Sequence, residues 1–247
     1  MKASIADTIS HLNLAIKECE TYLFITRDTS LQNDYRVKMK ELQQQATELK
    51  AAAISQRNED FANLFLGFEC VAECLLAELS MWIDLKNGNP DRAWDNLVKA
   101  QSAGVASVRA HPGFSHNQEH VNRLEEIEKL VFPPQVFVSA GLIAKRQECS
   151  ICGAEYGECD HLAWRPYMGQ FCFIVPKDIT GDHVALVKDP ADKRCRVTDF
   201  ATEHGTRNRM TWKLDIHATS GNECGINPSG GNSSAMTCGA VILTTGN

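Results

Sequence analysis

Residues 131–161 read VFPPQVFVSAGLIAKRQECSICGAEYGECDH, and the change of character inside this stretch decides the fold. Pro133-Pro134 ends the helix before it, because proline offers no N–H and its ring obstructs the carbonyl one turn back. Val136, Phe137 and Val138 then read as a short strand, and residues 141–148 as a connection into a cysteine cluster. A helical segment therefore lies upstream and a β-rich, cysteine-rich one downstream. The expected class is α+β, an N-terminal antiparallel helical bundle followed by a small β-rich module.

Upstream, Ile5, Ile9, Leu12, Ile16, Cys19 and Leu23 recur at spacings of four and three, the period of an amphipathic helix. A second stripe runs Tyr35, Met39, Leu42, Ala46, Leu49, Ala53, with Lys, Glu and Gln on the other faces. A third helix, roughly residues 60–85, is apolar on more than one face and should lie at the centre. Asn87-Gly88 ends it, and Asn89-Pro90 starts a fourth that runs to about Arg109. His111-Pro112-Gly113 breaks that helix, and a fifth begins near Asn117. Short connections favour antiparallel packing. Residues 89–94 resemble a tetratricopeptide helix start, but no second copy follows at that repeat's period.

Downstream, residues 171–175 and 183–187 read as strands bounded by Pro176, Gly181 and Pro190. From Ile216 the chain is rich in Gly, Ser, Asn and Thr, a composition of loops and tails, although the apolar run at 240–243 suits a final strand. The expected organisation is a helical bundle domain over 1–132, a linker over 133–148, a zinc-binding β-rich module over 149–215 and a Gly/Ser-rich tail over 216–247.

The formal net charge of −6 argues against an electrostatic grip on nucleic acid by the whole chain. A hydrophobic content of 43% and a charged content of 23% are ordinary for a globular protein. No apolar run is long enough to cross a membrane, and the N-terminus has no signal-peptide core, so the expectation is a cytoplasmic protein that does not engage membranes. In that compartment ten unevenly clustered cysteines point to metal rather than to disulfides.

Cys149-Ser150-Ile151-Cys152-Gly153 is a zinc knuckle in form, two thiolates two residues apart followed by a glycine that lets the backbone turn toward the sulfurs. Cys159-Asp160-His161 supplies two further ligands that project to the same side of an extended backbone. Cys149, Cys152, Cys159 and His161 thus form a candidate tetrahedral site for zinc, which accepts mixed sulfur and nitrogen ligands. Iron–sulfur binding, with Cys172 in place of His161, is the competing assignment, and free or buried cysteines are the bland one. A filled shell of four leaves no open position, so the ion would be structural rather than catalytic.

Tyr156, Cys159, His161, Tyr167, Gly169 and Cys172, following the knuckle in that order, resemble a Cys/His module of bacteriophage head and prohead-protease-like proteins. Residues 184–187 followed by Asp189-Pro190-Ala191-Asp192 are similar to that family's strand and Pro-Ala-Asp turn. Three residues after the histidine the pattern has glycine where this chain has Trp164, and the helical half finds no counterpart. The resemblance implies a shared zinc-stabilised module of phage or prophage origin, not peptidase activity.

Other constellations are weaker. Arg109 and His116 resemble the Arg/His element of HEPN ribonucleases, though Ala110 replaces that family's asparagine and Pro112-Gly113 interrupts the interval. His116 and His120 stand four apart, a spacing that can bind metal but usually marks a solvated helix start. Cys70 and Cys74 read as core. Lys188, Lys193, Arg194, Arg196, Arg207, Arg209 and Lys213 make the second half locally basic, with Trp212 as a stacking surface, yet interspersed acids make a mixed solvated face the simpler reading. No nucleophile elbow, P-loop or dinucleotide fingerprint occurs, so the enzyme case is thin. The expectation is a non-enzymatic zinc-binding interaction or assembly protein, with a protein partner or a second copy of itself. The alternatives are a HEPN-like ribonuclease and a structural component of a phage particle.

Overall fold

The computed structural model describes residues 4–216 and the strand 241–243. The fold is α+β, with the helices first and small sheets after them. The helices are α1 (Ile5–Glu20), α2 (Thr29–Ser55), α3 (Glu59–Lys86), α4 (Pro90–Ala110) and α5 (Gln118–Val131), with a 3-10 helix at Pro112–Asn117. The first four helix starts have a chemical cause. The Ser4 and Asp7 side chains cap one another's backbone N–H groups in a capping box before α1. Asp28 and Asn58 accept from the first-turn N–H groups of α2 and α3, and Pro90 opens α4.

Helix α3 packs against both α2 and α4 and is the centre that its composition predicted. Phe65, Phe68, Val71, Leu75 and Leu79 are buried there against Leu12, Met39, Leu42 and Ala46 from α1 and α2. Gly67 is required by close approach, since a Cβ there would lie 2.1 Å from the Phe114 ring. That ring, delivered by the 3-10 helix, stands edge-on to Phe68 at 5.0 Å. Buried Gln32 donates to the carbonyls of Tyr22 and Phe24 at 2.9 and 3.0 Å, tying down the turn between α1 and α2.

The strands are β1 (Phe137–Cys149), β2 (Pro166–Tyr167), β3 (Gln170–Phe171), β4 (Ile174–Val187), β5 (Asp199–Thr202), β6 (Gly205–Asn208), β7 (Leu214–Asp215) and β8 (Val241–Leu243). Their sheets have the orders β4-β1-β8, β2-β3 and β5-β6-β7. Two sequence expectations change here. The stretch 133–148, read as a linker, is mostly the long strand β1. Strand β4 runs without interruption through Pro176 and Gly181, which were expected to bound separate strands. Among the described residues β4 is the outer strand of its sheet, the kind of strand in which a proline can be accommodated. The run at 241–243 does add a strand, parallel to β1 through Gly141, Leu142 and Ile143. The remainder of the tail lies outside the described residues.

The chain divides into two compact units, the first comprising residues 1–132 with 144–179 and the second residues 133–143 with those from 180 onward. The units cut across the segments drawn from sequence, because the first half of the 149–215 module packs with the helices. The turn between β2 and β3 docks on the start of α3, where the Gly169 N–H donates to Asn63 Oδ1 at 2.8 Å and the Met168 N–H to Glu59 Oε1 at 3.2 Å. Among the described residues no helix is long and apolar enough to cross a membrane.

Candidate metal centre

Strand β1 ends at Cys149, and residues 147–156 fold back on themselves as a hairpin. The Tyr156 N–H donates to the Gln147 carbonyl at 2.7 Å, the Cys149 N–H to Ala154 and the Gly153 N–H to Cys149, both at 2.8 Å. Gly153 has φ +73, a left-handed conformation that glycine adopts without steric cost. The turn aims the Ile151 N–H at Cys149 Sγ, 3.4 Å away, as the knuckle reading requires. The loop that follows returns Cys159 and His161 to the same place. The ligand atoms of Cys149, Cys152, Cys159 and His161 all lie within 4.8 Å of one another, so these four residues could hold a metal ion.

Two observations bear on whether an ion fits. His161 Nδ1 is buried without a hydrogen-bond partner, a cost that coordination would remove. The thiols also perturb one another. Burial pushes the Cys149 thiol up, but the N–H groups of Cys152 and Ile151, with the thiols of Cys172 and Cys152, outweigh it and bring it down to about 6. Cys172 is held above the ordinary thiol value by burial and by Cys149, whose Sγ lies 3.6 Å from its own. Thiolates this close repel one another, and a cation between them is what allows several to ionise together. Cys172 is fully buried and touches the site, but it is not among the four whose ligand atoms are mutually close.

The tyrosines that accompany the ligands brace the loop after His161. Tyr167 OH accepts from the Leu162 N–H at 2.9 Å, and Tyr156 OH accepts from the Ala163 N–H at 3.1 Å. The Tyr167 ring also stands edge-on to His161, 4.7 Å between centroids. Trp164, where the resembling pattern has glycine, takes φ +66, so the turn keeps a glycine-like backbone while carrying an indole. Its N–H donates to the Cys172 carbonyl at 2.8 Å. Ser150 pairs with Phe173 in both directions, through its own N–H at 3.0 Å and its Oγ at 2.8 Å.

The other sequence candidates fall elsewhere. Arg109, in the last turn of α4, places its guanidinium over the Trp164 ring at 5.5 Å. His116 sits in the 3-10 helix beside the Phe114 ring, whereas His120 belongs to α5, so the two do not share one regular helix. His120 is no solvated helix start either, since its Nε2 lies 2.8 Å from Glu78 Oε2. Glu78 is fully buried on α3, and Arg123 Nη2 bonds both its oxygens at 2.7 and 2.8 Å. Sequence reasoning missed this cluster, although a carboxylate set among Leu75, Leu79 and Trp82 on the most apolar helix was the available signal. Burial pushes Cys19 and Cys70 up to about 12 and Cys74 well above its ordinary value, which keeps all three as inert thiols.

Compared with known proteins, the chain matches no family model, no curated protein and no solved structure.

Proposed function

We propose that this chain is a non-enzymatic binding protein in which one zinc ion, held by Cys149, Cys152, Cys159 and His161, fixes a recognition loop on a helical scaffold. The observation that carries this reading is the convergence of the four ligand atoms within 4.8 Å, with the Nδ1 of His161 buried and lacking a hydrogen-bond partner. Three thiolates and an imidazole suit zinc better than harder cations, and a shell of four protein ligands leaves it a structural ion. The segment it would hold has little else to fold around: from residue 144 to 179 the only buried hydrophobic side chains are those of Cys149 and Cys172.

Elemental mass spectrometry on purified protein tests the assignment. The expected result is about one zinc per chain in the wild type, lost in Cys152→Ser and in His161→Ala. Iron with visible absorption would replace zinc by a cluster with Cys172 as a ligand, and a wild type without metal would remove the reading altogether.

A further inference from the structure

We propose that the cleft beside the metal centre binds a nucleotide unit, its base stacked on the Trp164 indole and its phosphate held by the guanidinium groups of Arg109 and Arg165. The cleft is open, about 630 Å³ in volume, and lined by Arg109, Ala163, Trp164, Arg165 and Pro166. That size suits a small ligand or one segment of a longer one. No carboxylate lines it, and among the described residues neither Arg109 nor Arg165 enters a salt bridge. Two exposed cations and an exposed ring face one opening in a chain that is acidic as a whole. An anion with a flat aromatic part matches that set, since bases stack on aromatic side chains and guanidinium groups recognise phosphate.

The backbone points the same way. Trp164 is 56% exposed at φ +66, where a bulky side chain is an outlier and glycine sits freely. Strain of this kind persists only where the surroundings over-determine it, as they do at many binding sites. Here the bond from the Trp164 N–H to Cys172 and that from the Ala163 N–H to Tyr156 hold the turn against the metal-binding strands. Phe173 stands edge-on to the indole at 5.1 Å and Arg109 lies over it, which fixes the ring in one orientation before any ligand arrives. The second unit carries the same device independently: Trp212 is 62% exposed at φ +57, with Arg207 over its ring at 5.9 Å and Phe200 edge-on at 6.0 Å.

The inference rests on the reading of the chain as a binding protein, not on the identity of its metal. A base carrying a phosphate could come from a single-stranded nucleic acid or from a free nucleotide, and the test separates them. Full-length, metal-loaded protein is titrated with a dye-labelled oligothymidylate of about twelve nucleotides, the single-strand site size of one small domain. Parallel titrations use a duplex of the same length and thymidine monophosphate. The expected result is binding of the single strand over the duplex, with log affinity falling against log salt at a slope of about −1.4, the value for two phosphate contacts on a single strand. Tight binding of the monophosphate would instead name the free nucleotide as the ligand and support the same cleft.

Trp164→Gly should weaken either ligand at least about fivefold, a loss of the size one stacked base supplies. It should leave metal content unchanged and thermal stability unchanged or raised, because glycine relieves the backbone. Arg165→Ala should make the salt slope shallower by about 0.7. No binding of either ligand by the wild type, equal binding of the duplex, or undiminished binding by Trp164→Gly would overturn the proposal. Zinc bound at one per chain without nucleotide binding would sink this inference alone, while Trp164-dependent binding by a metal-free protein would sink the zinc reading alone.

Discussion

The helical bundle and the cysteine segment that docks on it belong to one compact unit but are held by different forces. The bundle buries Leu12, Met39, Phe68, Leu79, Trp94, Leu97 and Leu124 almost completely, each removing apolar surface from water. The segment from 144 to 179 buries no large apolar side chain and exposes Leu162, Trp164 and Phe173. Its observed order comes from hairpin hydrogen bonds and tyrosine braces, around four residues that could hold a metal ion. A region of this kind can display aromatic rings to solvent because its fold does not need them inside.

That contrast breaks most visibly if the ligand set is dismantled. The apparent free energy of zinc binding to small Cys/His modules is about 10–16 kcal/mol and is also their folding free energy. Chelation, or Cys152→Ser, should therefore strip amide-exchange protection from residues 147–173 while leaving α3 protected. Equal loss in both regions would show that the two are not separately held.

The reverse perturbation is Phe68→Ala in the bundle. Truncating a buried phenylalanine typically costs about 3–5 kcal/mol, so the urea midpoint should fall sharply with metal content unchanged. Arg123→Ala sharpens the comparison from the polar side. It leaves the buried Glu78 carboxylate with His120 and the Trp82 indole N–H, and breaking such a pair costs about 3–5 kcal/mol, of which the partners that remain should recover part.

Asn63→Ala probes the junction between the two. It deletes the acceptor for the Gly169 N–H, and the loss of one such bond is worth about 1 kcal/mol. Faster exchange at Gly169 without metal loss is the expected outcome. The smallest effect is chemical: iodoacetamide at neutral pH should spare Cys19, Cys70 and Cys74 in the folded protein, and after chelation should label Cys149, Cys152 and Cys159. Mass spectrometry of the labelled peptides reads both.

Much of this arrangement was legible in the sequence because it is written over short distances. Helical stripes repeat every three or four residues, capping residues sit next to the turns they cap, and the four candidate metal ligands fall between Cys149 and His161. Local pattern was enough to set the helices, their order, the break at Pro133-Pro134 and the composition of the candidate ligand set. Tertiary structure alone decided that β1 and β4 are long continuous strands, since pairing partners override the local signal of Pro176 and Gly181. It also decided that Glu78 meets Arg123 across 45 residues, that Cys172 lies against Cys149, and that Arg109 comes to rest over Trp164. Those meetings depend on which faces are pressed together when the bundle closes, and a periodicity along one segment holds no record of what arrives from another.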